Sequence, residues 1–229
     1  MLISAVTWRL IYVLLRAYLK ERPPLFSCRI CSFIHGFVAA FMGINQCFLF
    51  DWPFEHPEWK TSYLQTFILN MSWGYFIHDT FWMLKYERED KTMMCHHLIC
   101  IFALTRIIFK GYSGAQTTCA LGCMELTNPF LQIRWFLRTY GFQSAPVFYS
   151  TEISFFLVFI VVRLILGTYF LTVIVKQPNN DWDFIFMSVA IYAVSWMFVF
   201  TMVKYFFKKY VGRDQLQPNQ TSIAIQKQL

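Results

Sequence analysis

The sequence predicts an all-α, multi-pass transmembrane helical bundle, and three observations predict it. Of the 229 residues, 57% are hydrophobic and only 14% are charged, where a soluble domain carries roughly a quarter charged residues. Apolar runs of about 20 residues, the length that crosses a bilayer as a helix, recur from one end of the chain to the other. No linker, low-complexity segment or internal repeat interrupts them, so a single domain suffices. A bilayer interior offers no hydrogen-bond partners, so each crossing must satisfy its own backbone, and a helical bundle follows.

The elements follow in order. The expected spans are Leu2–Leu19, Ile30–Phe50, Leu64–Leu84, Met94–Phe109, Ala115–Leu137, Val147–Val175 and Phe184–Phe207. In the first, Arg9, Arg16 and Lys20 fall near one face, so the helix either crosses with its arginines snorkelling or lies in the interface. It lacks the basic start and small-residue cleavage site of a removed signal peptide. In the fifth, Pro129 has no N–H and its ring clashes with the carbonyl of Glu125, so a kink is expected there. Residues 1–27 then read as an N-terminal helix with its loop, 28–210 as the main domain and 211–229 as a tail.

The formal net charge of +7 does not indicate nucleic acid, because the positive residues collect on one side of the predicted membrane. Thirteen of the 20 Lys and Arg, among them Arg22, Lys85, Arg88, Arg134, Arg138, Lys204, Arg213 and Lys227, fall on the side that also holds the C-terminal tail. That side is expected to be cytosolic. The loop "DWPFEHPEWK", residues 51–60, faces the other way, with Trp52 and Trp59 as expected interface anchors. The sequons at Asn70 and Asn219 fall in a span and on the cytosolic side, so neither is expected to carry sugar. The seven cysteines lie mostly in or beside apolar runs and read as small buried apolar groups. Cys28 and Cys31 form a CxxC, a weak redox or zinc signal without a second pair; Cys28 is also a candidate for palmitoylation beside the membrane.

An ionisable group inside a span costs about 2.5–3.5 kcal/mol on insertion scales, so it requires a reason. His35 sits in the second span, His78 and Asp79 in the third ("GYFIHD"), His96 and His97 at the start of the fourth, and Glu125 and Asn128 in the fifth. Glu125, Asn128 and Gln132 share one helical face. Adjacent histidines point about 100° apart, so His96 and His97 cannot readily chelate one metal, and only one can face a given pocket directly. His96 aligns with the small residues Cys100 and Ala103, His97 with the bulkier Ile101 and Leu104, which favours His96 as the inward ring. Five histidines are too few for the histidine boxes of a di-iron oxidase, and no metal site is expected. Polar residues in spans also serve as plain helix glue, but three histidines and two carboxylates from four helices point to a shared polar pocket.

These same motifs resemble those of the TLC family, named for TRAM, LAG1 and CLN8. The likeness rests on the "HD" of the third span, the "HH" following the charged loop "KYEREDK", and "ELTNPFLQIRWFLR", and it covers the chain from about Cys28 to the last span. It implies a six-helix barrel-like bundle around a lipid-sized cavity, here preceded by one extra helix, and a place in the endoplasmic reticulum. The family's ceramide synthases carry a histidine pair, matched by His96 and His97, and downstream a histidine–aspartate and a further aspartate. In "CMELTNPF" Met124 stands in place of that histidine, Glu125 in place of the first aspartate and Asn128 of the second, which speaks against ceramide synthesis itself.

Three functions stay open. The first is binding or adjustment of membrane lipids, with His35, His78, Asp79, Glu125, Asn128 and Gln132 holding a headgroup. The second is an acyltransferase in which His96 or His97 is the base or transient acyl acceptor, with acyl-coenzyme A as co-substrate and no other cofactor. The third is a structural or cargo-interaction membrane protein. The expected partners are membrane lipids.

Overall fold

The computed structural model of the chain describes residues 1–48, 51–86 and 91–211. The charged-loop residues 87–90, including Arg88, lie outside the described residues, as do the tail from residue 212 onward and its Arg213, Asn219 and Lys227. Within the described residues the fold is helical: α1 (Leu2–Tyr18), α2 (Pro24–Asn45), α3 (Tyr63–Tyr86), α4 (Lys91–Lys110), α5 (Gly114–Glu125), α6 (Thr127–Thr139), α7 (Pro146–Ile160), α8 (Gly167–Lys176) and α9 (Trp182–Phe206). A π-helical turn, Val161–Leu166, joins α7 to α8 without a break, making one 31-residue rod. Each of the seven expected spans has its helix, α5 with α6 and α7 with α8 serving as one each. Four, α2, α4, α7–α8 and α9, are long and apolar enough by themselves to cross a bilayer.

Local sequence sets the ends. Pro24 opens α2 and Pro146 opens α7 at first-turn positions, where a missing N–H costs nothing. The fifth span is interrupted at Leu126, three residues ahead of Pro129, which cannot donate to the Glu125 carbonyl. The turn between α4 and α5 uses Gly111 at φ +75° and Ser113 at φ +62°, the left-handed region that glycine enters freely.

α1 runs lengthwise beside α3. The Trp8 indole N–H donates to the Met71 carbonyl (2.9 Å) and the Trp82 indole N–H to the Tyr12 hydroxyl (3.1 Å). Gly74 gives the closest approach, where a Cβ would collide with Ser4. α1 therefore packs along the bundle, with Val6, Leu10 and Leu14 facing outward. α2 packs on α5 at a crossing of two glycines. A Cβ on Gly43 would lie 2.6 Å from the Gly122 Cα, so only glycine lets the two backbones meet there.

The end carrying residues 51–61 is interlocked. The loop buries Phe54 completely and stacks it on Phe170 at 4.7 Å. Trp52, expected as an interface anchor, instead packs against Phe54, Tyr169 and Phe170. Arg106 donates to Asp181 (2.5 Å) and Asp183 (2.6 Å), and Lys110 also pairs with Asp181, so α4 is clamped to the start of α9. Asp181 lies in the connecting loop. The Lys110 ammonium, and then the Arg106 guanidinium, hold its carboxyl below the ordinary aspartate range against a smaller opposing effect of burial.

Two expectations are corrected here. Cys47 and Cys119 are not simple apolar fillers but a disulfide joining the end of α2 to α5. Arg134, counted among the cations of the expected cytosolic side, is 3% exposed and buried in an ion network. Its Nε donates to Glu152 (2.8 Å), which also accepts from Tyr205 (2.9 Å) and pairs with Lys209 and Tyr210. That network ties α6, α7 and the end of α9 together.

Candidate functional site

The polar side chains of the inner helices form one seam through the bundle, and a cavity meets it on one side. On α2 and α3 the His35 ring stacks on Tyr75 (3.9 Å, nearly parallel), and the Tyr75 hydroxyl donates to Ser32 (2.9 Å). His35 is fully buried, and neither ring nitrogen has a hydrogen bond; its Nδ1 stands 3.7 Å from Glu125. Glu125 accepts from the Asn128 amide (3.1 Å), and the Gln132 amide donates to Asn128 (2.7 Å). Asn128 also reaches the Ser32 carbonyl at 3.3 Å, so this face of α5–α6 is bonded to α2. The packing is tight: a Cβ on Gly36 would lie 2.8 Å from the Asn128 Cβ.

Towards α4, Asp79 accepts a hydrogen bond from the Cys28 thiol (3.1 Å) and stands 3.7 Å from His97. Cys28 and Cys31 are buried free thiols, and Cys28 points at Asp79 inside the bundle. His78 turns the opposite way from its neighbour Asp79 and packs on Tyr12 of α1, 5.3 Å between rings. His78 is thus separated from the other predicted site residues, as a step of about 100° between consecutive helix positions requires.

The cavity lies between α4, α5, α8 and α9, is open on one side, and has a volume of about 140 Å³. Its walls are mostly apolar, with Leu104 and Ile107 of α4, Phe170 and Ile174 of α8, and Met187 and Ile191 of α9, interrupted by Gln116 and Thr117 of α5 and Ser188 and Tyr192 of α9. At its deep end four polar residues from four segments meet: His96, Glu125, Arg163 and Ser195. His96 touches Cys100 of its own helix, with Sγ 3.7 Å from Nε2, and its ring meets Phe76 and Phe198 edge-on. Of the predicted site residues, His96 and Glu125 line the cavity. His35, His97, Asp79, Asn128 and Gln132 sit in the seam behind it.

Arg163 was missed as a site residue. It lies in the π-helical turn, about midway along the α7–α8 rod, is 8% exposed, and donates to the Ser195 hydroxyl at 3.3 Å. The signal was present: a cation at the centre of the most apolar run marks a site by default, and π-turns inside helices gather at functional positions. Ser195, hydrogen-bonded back to the Ile191 carbonyl (3.1 Å), carried no such signal. Among the described residues the one group of ligand atoms close enough for a metal ion is Cys47, Cys119 and Cys123, and two of these sulfurs are tied up in the disulfide.

A polar-floored cavity inside a bundle of membrane helices defines an integral, multi-pass membrane protein. The TRAM/LAG1/CLN8 TLC domain profile matches residues 25–211, most of the chain, and the chain belongs to this family. It is similar to the TLC domain-containing protein L438 of Acanthamoeba polyphaga mimivirus, 34% identical over 108 residues, or 47% of this chain and 54% of that one. The chain thus spans about half the length of this curated relative.

Proposed function

We propose that the chain binds membrane lipids, with an acyl chain in the α4–α5–α8–α9 cavity and a headgroup on its polar floor, and that it serves lipid homeostasis in the endoplasmic reticulum. The observation that carries this reading is the cavity itself, lined mostly by apolar side chains, with the charged and titratable groups Glu125, Arg163 and His96 gathered in one part of its lining, an arrangement suited to an amphiphile. Family membership supports the compartment. The stretches "RPPLFSCRICSFIHG", "WPFEHP" and "GYFIHD" further resemble the member called TLC domain-containing protein 5.

Acyl transfer is the weaker reading for a geometric reason. A histidine base is ordinarily oriented by a third group. Here the carboxylate beside the histidine pair, Asp79, stands against His97, while His96, the ring in the cavity, has no acid in contact among the described residues. The base and its orienting acid are therefore split between two neighbouring rings.

The test is quantitative lipid extraction. Purified protein is expected to carry a stoichiometric lipid, and Ala103→Phe or Ala120→Trp, which fill the cavity from α4 and α5, to lose it while remaining monodisperse. Equal lipid in the filled variants, or none in the unaltered protein, refutes the reading. Turnover of labelled acyl-coenzyme A that disappears with His96→Ala would replace it by acyl transfer.

A further inference from the structure

Arg163 has no acidic counterpart in contact. It is 8% exposed, its Nε has no hydrogen-bond partner, its guanidinium lies over the Phe159 ring at 5.6 Å, and its side chain hydrogen-bonds the neutral hydroxyl of Ser195. Among the described residues no carboxylate makes an ion pair with it. Glu125, across the floor, is held by Asn128 at 3.1 Å and faces His35 at 3.7 Å. The other buried cation, Arg134, has its carboxylate at 2.8 Å. The position excludes snorkelling, since roughly 20–25 Å of helix separates Arg163 from either end of its rod at 1.5 Å per residue. A guanidinium cannot shed its proton to escape this cost. It faces the cavity with donors in a planar fork, the geometry that takes a carboxylate or a phosphate through two parallel hydrogen bonds.

We propose that the cavity selects an anionic, single-chain amphiphile: its acidic head, a carboxylate or a phosphate, sits on Arg163 and Ser195, and its chain runs up the apolar walls past Phe170 and Ile191 towards Ile174 and Phe184. The inference rests on the lipid-binding reading and adds the charge of the ligand and the residue that reads it. The Ser195 hydroxyl accepts from the guanidinium and gives its one proton to the Ile191 carbonyl; turned from that carbonyl, the same proton reaches the head. The ligand's charge replaces the missing protein carboxylate.

The test uses the full chain, purified in an uncharged detergent and stripped of bound lipid, with four probes: oleic acid, oleoyl lysophosphatidic acid, oleyl alcohol and oleamide. The unaltered protein is expected to bind one or both acids at least tenfold more tightly than the alcohol and the amide. Which acid wins identifies the source as a free fatty acid or a lysophospholipid. Arg163→Gln is expected to erase this preference by weakening the acids while leaving the alcohol unchanged, and Arg163→Lys to retain part of it. Equal binding of acid and alcohol to the unaltered protein, which needs no variant, overturns the proposal. So does a preference that survives Arg163→Gln. In both cases lipid binding itself still stands. If Ala120→Trp binds every probe as well as the unaltered protein, the cavity is not the site and both readings fall.

Discussion

Replacing Glu152 by Gln should destabilise the bundle more than any other single isosteric change. Glu152 is 4% exposed and Arg134 3%. Around the one carboxylate stand Arg134, Lys209 and the hydroxyls of Tyr205 and Tyr210. Removing one member of a buried pair leaves the other charge uncompensated and costs about 3–5 kcal/mol. The glutamine oxygen still accepts from Tyr205 and returns roughly 1 kcal/mol of that. Removing both charges, as in Arg134→Met with Glu152→Met, relieves the more deeply buried orphaned cation, and such replacements are often neutral or better; Lys209, with a quarter of its side chain exposed, keeps its charge in contact with solvent. Two tyrosine hydroxyls then lose their acceptor at about 1 kcal/mol each. The double variant should therefore lie within about 2 kcal/mol of the unaltered protein, and the cycle should show a coupling of several kcal/mol. Thermal unfolding in one detergent, followed by tryptophan fluorescence, reads this directly. At about 2–4 °C per kcal/mol for a chain of this size, Glu152→Gln should lower Tm by roughly 5–15 °C. A double variant that falls by the sum of its singles, or a Glu152→Gln Tm within a degree of the unaltered protein, would show that the network does not carry the load assigned to it.

Three more outcomes follow from the geometry. Gly122→Ala places a Cβ 2.6 Å from the Gly43 Cα, with backbone rather than a movable side chain in its way; α2 and α5 must part by about 1 Å. At the usual overpacking cost of about 1–3 kcal/mol, Tm should fall by several degrees, and an unchanged Tm would mean the helices do not touch. Cys47→Ser opens a loop of 72 residues, for which chain entropy gives about 4 kcal/mol at most; non-reducing gel mobility and Tm should both change, and unchanged mobility would deny the bond. The Asp181 carboxyl is held below its ordinary range by Lys110 and Arg106, so its stabilising effect is complete above the unfolded-state value of about 4 and is lost as pH falls through the lower folded value. The Tm difference between the unaltered protein and Asp181→Asn should stay constant from pH 7 to 5 and shrink only below pH 4. A difference that fades near neutrality would rule out the clamp.

The helices of all seven expected spans were legible, four of them long and apolar enough to cross a bilayer, because a run of apolar residues is a signal of composition, which no tertiary contact alters. The interruption of the fifth was legible because Pro129 acts on a carbonyl four residues away. What the sequence could not carry was pairing. The Cys47–Cys119 bond joins residues 72 apart, and a count of cysteines fixes no connectivity. Arg134 looked like one more cation of the cytosolic side because its partner Glu152 belongs to another helix. Trp52 looked like an interface anchor because nothing local reveals Phe170. The candidate site was half legible for the same reason. Helical periodicity puts Glu125, Asn128 and Gln132 on one face, but Asn128 and Gln132 spend that face on hydrogen bonds within the bundle while Glu125 also reaches the cavity.

The two sets of polar residues therefore differ in energetics more than in type. Ser32, Tyr75, Asn128 and the Gln132 amide N–H find partners in one another or in the backbone, with only the Gln132 Oε1 left over, and sets of this kind hold membrane helices together at roughly 0.6–2 kcal/mol per contact. His35 and Arg163 do not close in this way. His35 has two ring nitrogens without a hydrogen bond in a fully dry position, and the Arg163 charge sits in the middle of the longest rod against a hydroxyl. A group left open at this depth costs several kcal/mol, more than any one glue contact returns. The gap in hydrogen bonding at Arg163 coincides with the floor of a cavity, whereas the gap at His35 is sealed behind Tyr75, Phe76 and Glu125. A ligand can relieve the first and cannot reach the second. Substitution should accordingly separate them: His35→Phe, which keeps the stacking on Tyr75 and removes two unsatisfied nitrogens, should raise Tm or leave it unchanged and leave bound lipid intact. A large loss of lipid with His35→Phe would place the binding determinant in the seam and overturn the division drawn here.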